Sequence, residues 1–146
     1  MPETWTTRGK LSSFETNLAI RQTVDEAKKR LLALEENWDG EGSPAYQERT
    51  LEAAAGFLYA LVEQSETLKA AKVRILPASE GSIDLHWKTD RFELLVNFRP
   101  DGSVSYYGDD YCENSIQGQT RPKPGFILCC RIAQWIPEFG PESVGL

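Results

Sequence analysis

The chain has 146 residues, of which 40% are hydrophobic and 26% are charged, and its 16 basic and 22 acidic side chains give a net charge of −6. This length and composition predict one globular domain over residues 1–146 and exclude an intrinsically disordered chain. The acidic balance argues against direct binding to nucleic acid or to an anionic membrane, because both carry negative charge.

The chain ends and the cysteines indicate the environment of the protein. Residues 1–11 and 137–146 carry little pattern, so we expect both ends to be loosely ordered. The N-terminus is polar, and no apolar run approaches the about 20 residues of a membrane span. An odd number of cysteines without an export signal predicts reduced thiols in a cytoplasmic protein. Cys129 and Cys130 fit small buried hydrophobic residues rather than zinc ligands. The acidic neighbours of Cys112 disfavour ionisation of its thiol.

Two helices are predicted in the first half of the chain. Apolar residues recur at steps of three and four over Ile20–Trp38, which places them on one helix face. This helix begins near Ser12 or near Thr23, since a glutamate follows each at capping-box spacing. Gly40 is positioned to end it. A second helix is predicted over residues 46–64, and the short connection makes the two helices antiparallel neighbours.

After Lys72 the hydrophobic period changes from 3.6 to 2, which predicts four short antiparallel strands. Apolar and polar side chains alternate along them, so one sheet face is core and the other is polar. Trp87 and Phe92 can share the apolar face as directly opposed residues if the loop between them has an even number of residues. This register places His86 opposite Glu93.

The next hairpin is predicted from its loop. Arg99 pairs with Ser103 around the three-residue loop Pro100–Gly102, with glycine at the left-handed position. This register also aligns Phe98 with Val104.

The last third of the chain is predicted to hold a long loop and a short helix. Residues 108–125 are polar and rich in glycine and proline, as in loops that carry function. Residues 126–136 fit a helix or a strand, and we favour a helix with Ile132, Trp135 and Ile136 against the core. The predicted fold is α+β, with two antiparallel helices packed on a four-stranded antiparallel meander and a C-terminal helical segment.

The sharpest charge feature follows the last predicted strand, where carboxylates alternate with tyrosines. Its residues are Tyr107, Asp109, Asp110, Tyr111 and Glu113. Tyrosines give contact area and carboxylates steer cationic groups, so we predict a protein partner with a basic surface. His86 and Arg99 join this candidate site because the polar sheet face carries both. The alternative is a solvated acidic loop without a partner.

Support for catalysis or for a metal is weaker. His86 opposite Glu93 would form half of an acid–base site, but no motif supplies a nucleophile, and a cross-strand pair is the alternative. Asp39 and Glu41 offer fewer oxygens than Ca²⁺ needs. We therefore expect no cofactor, no metal and no enzymatic activity.

Several segments resemble a family of short uncharacterised bacterial proteins. The matching segments are Asn37–Gly40, the helix after Pro44, Gly81–Trp87 and Pro100–Tyr107, within residues 24–107. Members of this family combine an Asn-Trp-Asp-Gly helix exit, a Gly-x-Ile-x-Leu-x-Trp strand and an aspartate-glycine hairpin. They often occur in the mobile or accessory parts of genomes, and the resemblance brings no known activity.

The residues and the resemblance together predict a non-enzymatic bacterial protein-binding module. The genomic setting of the family implies an antitoxin-like, defence or counter-defence (anti-CRISPR-type) role, exercised by binding a protein. One alternative is a small hydrolase-like enzyme that uses His86 and Glu93. Another is an acidic mimic of nucleic acid, although the negative charge is spread along the chain and interleaved with basic residues. A homodimer is compatible with the sequence.

Overall fold

The helices and strands follow one another in a simple order in the computed structural model, which describes residues 13–120 and 125–136. The helices are α1 (Ser13–Leu32), α2 (Glu48–Gln64), α3 (Glu66–Ala70) and α4 (Gly125–Trp135). The strands are β1 (Val73–Pro77), β2 (Ile83–Lys88), β3 (Glu93–Phe98), β4 (Val104–Asp109) and β5 (Ser115–Thr120). The strands form one antiparallel sheet in the order β1-β2-β3-β4-β5. The predicted α+β class is confirmed, with five strands rather than four.

The first helix starts close to the earlier of its two predicted caps and ends sooner than predicted. Its apolar stripe from Ile20 to Leu31 is buried, but the helix stops at Leu32. The chain turns because Asn37 adopts a positive φ of 63° and its amide donates to the Ser43 carbonyl at 2.7 Å. Leu34 and Trp38 continue the helical spacing, yet they contact the core from a loop.

The second helix begins at Glu48, two residues after the predicted start, because Tyr46 serves the loop before it. The Tyr46 hydroxyl lies 2.7 Å from the Ser82 carbonyl and 2.8 Å from the Ala78 carbonyl, and it accepts from the Ala78 amide at 2.9 Å. The predicted buried face of α2 is confirmed. The sequence did not predict α3, whose N-terminus is capped by the Ser65 hydroxyl.

The helices cover one face of the sheet. α1 packs against β1, α2 packs against β2 and β3, and α4 packs against α2. All the strand residues predicted to be apolar and inward are buried. They are Val73, Ile75, Ile83, Leu85, Trp87, Phe92, Leu94, Val96, Phe98, Val104 and Tyr106. The faces of the sheet were therefore predicted correctly.

The two predicted hairpin registers had different outcomes. The Arg99–Ser103 hairpin is confirmed, since the Arg99 amide donates to the Ser103 carbonyl at 3.0 Å and Phe98 pairs with Val104. The β2–β3 register is shifted by two residues, so Trp87 pairs with Leu94 and His86 with Leu95. Thr89 causes the shift, because its hydroxyl accepts from the amides of Arg91 and Phe92, both at 3.1 Å. These bonds close a loop of residues 89–92, between the paired residues Lys88 and Glu93, instead of the predicted loop of residues 88–91.

The predicted loop 108–125 is wrong, because it contains strand β5. Only Ile116 is a large apolar residue in this strand, so no hydrophobic alternation marks it. Pairing with β4 forms it, with Gly108 opposite Ile116 and Tyr106 opposite Gly118. A Cβ at Gly118 would lie 2.5 Å from the Tyr106 hydroxyl, so glycine is needed for the tyrosine ring to lie across β5.

The predicted C-terminal helix is confirmed as α4. Ile132, Trp135 and Ile136 are all buried, and the Trp135 ring lies edge-on to Phe92 with 6.2 Å between centroids. Cys129 is buried as predicted, Cys130 is half-buried and Cys112 is exposed. No helix in the described ranges is long and apolar enough to cross a membrane. The ends predicted to be loosely ordered, 1–11 and 137–146, lie outside those ranges.

Candidate protein-binding surface

The sheet face opposite the helices is not covered by any element that the structure describes. We call this surface the open face, and it consists of the alternate strand side chains that point away from the core. Its central row crosses all five strands, because the register makes each member the direct neighbour of the next. The row consists of Arg74, His86, Leu95, Tyr107 and Gln117.

The centre of the open face is less polar than the sequence suggested. Leu95 lies between His86 and Tyr107 as the direct cross-strand partner of both. It is half-buried, and the Tyr107 side chain is 41% exposed. Leu76 is a second half-buried leucine on this face. Neither leucine was predicted to lie on this face, although strand parity alone places Leu95 on the face opposite to its buried neighbours Leu94 and Val96.

His86 and Glu93 do come together, although not as the directly opposed pair that was predicted. Nε2 of His86 lies 2.6 Å from Oε2 of Glu93 along a diagonal of the β2–β3 ladder. Lys88 is the direct partner of Glu93, with 3.9 Å between Nζ and Oε1. No serine, threonine or cysteine in the described ranges shares a hydrogen bond with His86, so the pair has no assembled nucleophile.

One end of the open face concentrates negative charge. Glu93 and Asp109 are direct cross-strand partners, and like charges in this arrangement destabilise a sheet. The Tyr107 hydroxyl donates to Oδ2 of Asp109 at 3.3 Å. The Asp109 carboxylate raises the pKa of the Tyr107 phenol, because a phenolate beside it would be repelled. We call Glu93, Asp109 and the β4–β5 turn (residues 110–114) the acidic end.

Two carboxylates of the acidic end also build the β4–β5 turn. Oδ1 of Asp109 accepts from the Tyr111 amide at 2.9 Å, where Tyr111 has a positive φ of 63°. Oδ1 of Asp110 accepts from the amides of Cys112 at 2.8 Å and Asn114 at 3.0 Å. Partial burial tends to raise the pKa of Asp110, but these hydrogen bonds outweigh it and hold the pKa below its usual value. Glu113 is exposed and has no such role in the turn.

Arg99 is separated from the other predicted site residues, because it lies at the opposite end of the open face. Its guanidinium donates to the hydroxyls of Ser103 at 3.1 Å and Ser105 at 3.3 Å. Beside it, Asn97 donates to Asp84 at 2.8 Å. Arg99, Ser105, Asn97 and Asp84 line a shallow groove. The predicted residues therefore divide between the acidic end, the central row and this groove.

The other sequence candidate, Asp39, is used by its own loop. Oδ2 of Asp39 accepts from the Ser43 hydroxyl at 2.5 Å, and Oδ1 accepts from the Glu41 amide at 2.9 Å. These two hydrogen bonds, the Ser43 bond foremost, lower the pKa of the Asp39 carboxyl. Within residues 13–120 and 125–136, no group of three or more histidine, cysteine or acidic side chains is arranged to hold a metal ion.

Comparison of the chain with protein-family models, with curated proteins and with solved structures finds no match. A function is therefore inferred from the α+β fold and from the sheet face that no described element covers. That face joins a partly apolar centre, at Leu95 and Tyr107, to a charged rim.

Proposed function

We propose that this protein is a non-enzymatic binding module that engages a protein partner through the open face. The observation that carries the proposal is a five-stranded sheet whose outer face is bare within the described residues and has the half-buried Leu95 at its centre. Protein interfaces combine a less polar core with a polar rim, and the open face has the same arrangement.

The centre of the open face is the part expected to contribute most of the binding energy. Binding energy concentrates in a few central residues, among which tyrosine is over-represented. Tyr107 is the exposed aromatic residue of the central row, and Leu95 supplies apolar surface beside it. His86 borders Leu95 on the other side and is oriented by Glu93 at 2.6 Å. A partner that covers this row would bury a tyrosine, a leucine and an imidazole together.

The charge of the acidic end favours a partner with lysine or arginine opposite it. Glu93, Asp109 and Glu113 lie at or beside this end, and only Lys88 and His86 offset Glu93 in the described contacts. Complementary charge at an interface rim speeds association and fixes orientation more than it adds affinity. The partner is therefore a protein whose apolar patch is flanked by basic residues.

The biological role that we attach to this binding is antitoxin-like, defence or counter-defence, in the bacterial cytoplasm. It is supported by the resemblance of segments such as Asn37–Gly40 and Pro100–Tyr107 to a family from mobile or accessory genome regions. The 2.6 Å contact between His86 and Glu93 favours the hydrolase-like alternative as a second candidate. Mimicry of nucleic acid has less support, because Arg74, Lys88 and Arg99 interrupt the negative charge of the same face.

The test is capture of proteins from a lysate of the encoding organism by three forms of the tagged chain. They are the wild type, the open-face variant Leu95→Ser/Tyr107→Ala, and the control variant Leu18→Ser/Phe14→Ala, which alters exposed apolar residues of α1. We expect one stoichiometric partner with the wild type and the control, and its loss with the open-face variant. Equal capture by all three, or no captured partner, would contradict the proposal.

A fourth form, His86→Ala, separates binding from chemistry. If the protein acts by binding alone, its biological effect follows partner capture across all variants, including this one. If His86→Ala loses the effect and still captures the partner at wild-type stoichiometry, the hydrolase-like alternative replaces the binding proposal.

A further inference from the structure

The two edges of the sheet differ in how their backbone groups are satisfied. An edge strand leaves a row of N–H and C=O groups unpaired, and soluble proteins usually block such edges with charges, prolines or covering elements. β1 and β5 are the two edges of this sheet. Among the residues that the structure describes, β1 is blocked in this way and β5 is not.

On the β1 edge, three devices prevent pairing with another strand. The Ala78 amide donates to the Ser82 carbonyl at 2.9 Å. Because ladder hydrogen bonds alternate along an antiparallel pair, this bond fixes which β1 residues direct their backbone groups away from β2, toward the open edge. These residues are Val73, Ile75 and Pro77, whose side chains still face the core or the sheet surface. The Arg30 guanidinium of α1 donates to the outward Ile75 carbonyl at 2.6 Å. Pro77 has no N–H to offer, and the charged Arg74 lies between Val73 and Ile75.

On the β5 edge, none of these devices occurs within residues 13–120 and 125–136. The Asp110 amide donates to the Asn114 carbonyl at 3.0 Å. Because ladder hydrogen bonds alternate along the strand, the backbone N–H and C=O groups of Ser115, Gln117 and Gln119 point away from β4, toward the open edge. All three are exposed, and β5 contains neither a charged residue nor a proline. Within the described ranges, no group hydrogen-bonds to their outward N–H and C=O groups.

We infer that the β5 edge pairs antiparallel with β5 of a second copy, centred on Gln117, and joins two five-stranded sheets into one. A two-fold axis at this position pairs Gln117 with itself and Ser115 with Gln119 of the other copy. Each outward residue then exchanges its N–H and C=O with an outward residue of the other copy, so all of these groups are satisfied. On the helix side, Ile116 faces Gly118, which has no side chain to clash with it.

The net negative charge of each copy does not oppose this pairing. β5 itself is uncharged, and antiparallel pairing sends the two acidic turns to opposite ends of the interface. Ser115, the first residue of β5, lies two residues from Gln117, so at about 3.4 Å per residue the two acidic turns begin about 14 Å apart. The Debye length is about 10 Å at 0.1 M salt, so their repulsion is screened. A second copy of this chain therefore fits the edge in both hydrogen bonding and charge.

The test is the molar mass in solution, measured by size-exclusion chromatography with light scattering over a concentration series. Gln117→Pro removes an outward N–H at the two-fold axis without removing a donor from the β4–β5 ladder. Gln117→Ala is its matched control, because it shortens the same side chain and keeps the N–H. We expect dimers for the wild type and Gln117→Ala, and monomers for Gln117→Pro with an unchanged circular dichroism spectrum.

A second variant keeps the test decisive if the proline disturbs the fold. Gln117→Lys keeps the backbone and sets two like charges at the two-fold axis, so it is expected to be a folded monomer. The inference would be overturned if the wild type were monomeric at every concentration, or if the dimer survived Gln117→Lys. It would also be overturned if the β5 edge paired only with a different protein. Leu95→Ser/Tyr107→Ala leaves the edge intact and is expected to remain dimeric, so failure of this inference is distinguishable from failure of the proposed function.

Discussion

Replacing Tyr46 with phenylalanine tests how the loop before α2 is fastened to the β1–β2 turn. The Tyr46 ring is 7% exposed and contacts Trp38 with 6.1 Å between ring centroids. Its hydroxyl accepts from the Ala78 amide at 2.9 Å and lies within 2.8 Å of the Ala78 and Ser82 carbonyls. Tyr46→Phe removes one buried oxygen and leaves the ring packing in place.

The magnitude follows from which partners lose a hydrogen bond. The Ala78 amide keeps its bond to the Ser82 carbonyl at 2.9 Å, so the amide is not left unpaired. The Ala78 and Ser82 carbonyls lose the tyrosine hydroxyl as a donor. One hydrogen bond contributes a net of about 0.5–1.5 kcal/mol to stability, and a buried partner left unsatisfied costs about 1–3 kcal/mol. We therefore expect Tyr46→Phe to lower the free energy of unfolding by about 1–3 kcal/mol.

The assay is urea unfolding followed by tryptophan fluorescence, with an unchanged denaturant slope expected because the surface exposed on unfolding is the same. Tyr59→Phe is the matched control. Tyr59 lies on α2 beneath Arg21, and its hydroxyl forms no hydrogen bond within the described residues, so its stability should stay within about 0.5 kcal/mol of wild type. Equal effects of the two substitutions, or no effect of Tyr46→Phe, would refute the assigned role.

Three further predictions concern packing, pH and charge. Gly108→Ala should destabilise the protein by about 1–3 kcal/mol in urea unfolding, because its Cβ would lie 2.8 Å from the Trp135 ring. Gly56→Ala should stabilise it by about 0.5–1 kcal/mol, since this helical glycine has open space around it; the reverse order would contradict the packing of α4. Burial raises the pKa of the Cys129 thiol from 9.0 to about 11, so the folded state holds this proton to higher pH than the unfolded chain. The contribution of this protonated thiol to stability is full below pH 9 and is lost as the pH rises to about 11. Cys129→Ala should therefore flatten the decline of the free energy of unfolding measured from pH 8 to 11. A decline identical to that of the wild type would contradict this role of Cys129. Glu113→Lys should slow association with a basic partner, most strongly at low salt, and a salt-independent rate would contradict the steering role.

The sheet was largely predictable because hydrophobic alternation and turn chemistry are local. The Pro100–Gly102 loop set the register that pairs Val96 with Tyr106, and both faces followed from parity. β5 was not predictable in this way, since a strand with one large apolar residue has no alternation to read. It forms because β4 offers it a pairing partner and Gly118 makes room for the Tyr106 ring.

Errors in the helices and in the candidate site have similar physical causes. The apolar spacing runs past Leu32 to Trp38, because a loop also directs Leu34 and Trp38 to the core. The His86–Glu93 contact was predicted, yet through a register that the Thr89 hydroxyl shifts by two residues. The acidic cluster was visible in the sequence, but its role in closing the β4–β5 turn depends on backbone amides that no residue pattern reveals.

Photo-crosslinking from the open face tests whether this face binds a protein partner. A photoreactive residue replaces Tyr107 in one form of the protein and Leu18 of α1 in a control form, because both side chains are exposed and they lie on different elements. Both forms are irradiated in a lysate of the encoding organism. We expect a crosslink to one other protein from position 107 and none to that protein from position 18. Crosslinking of that protein from position 18 alone, or from neither position, would contradict it.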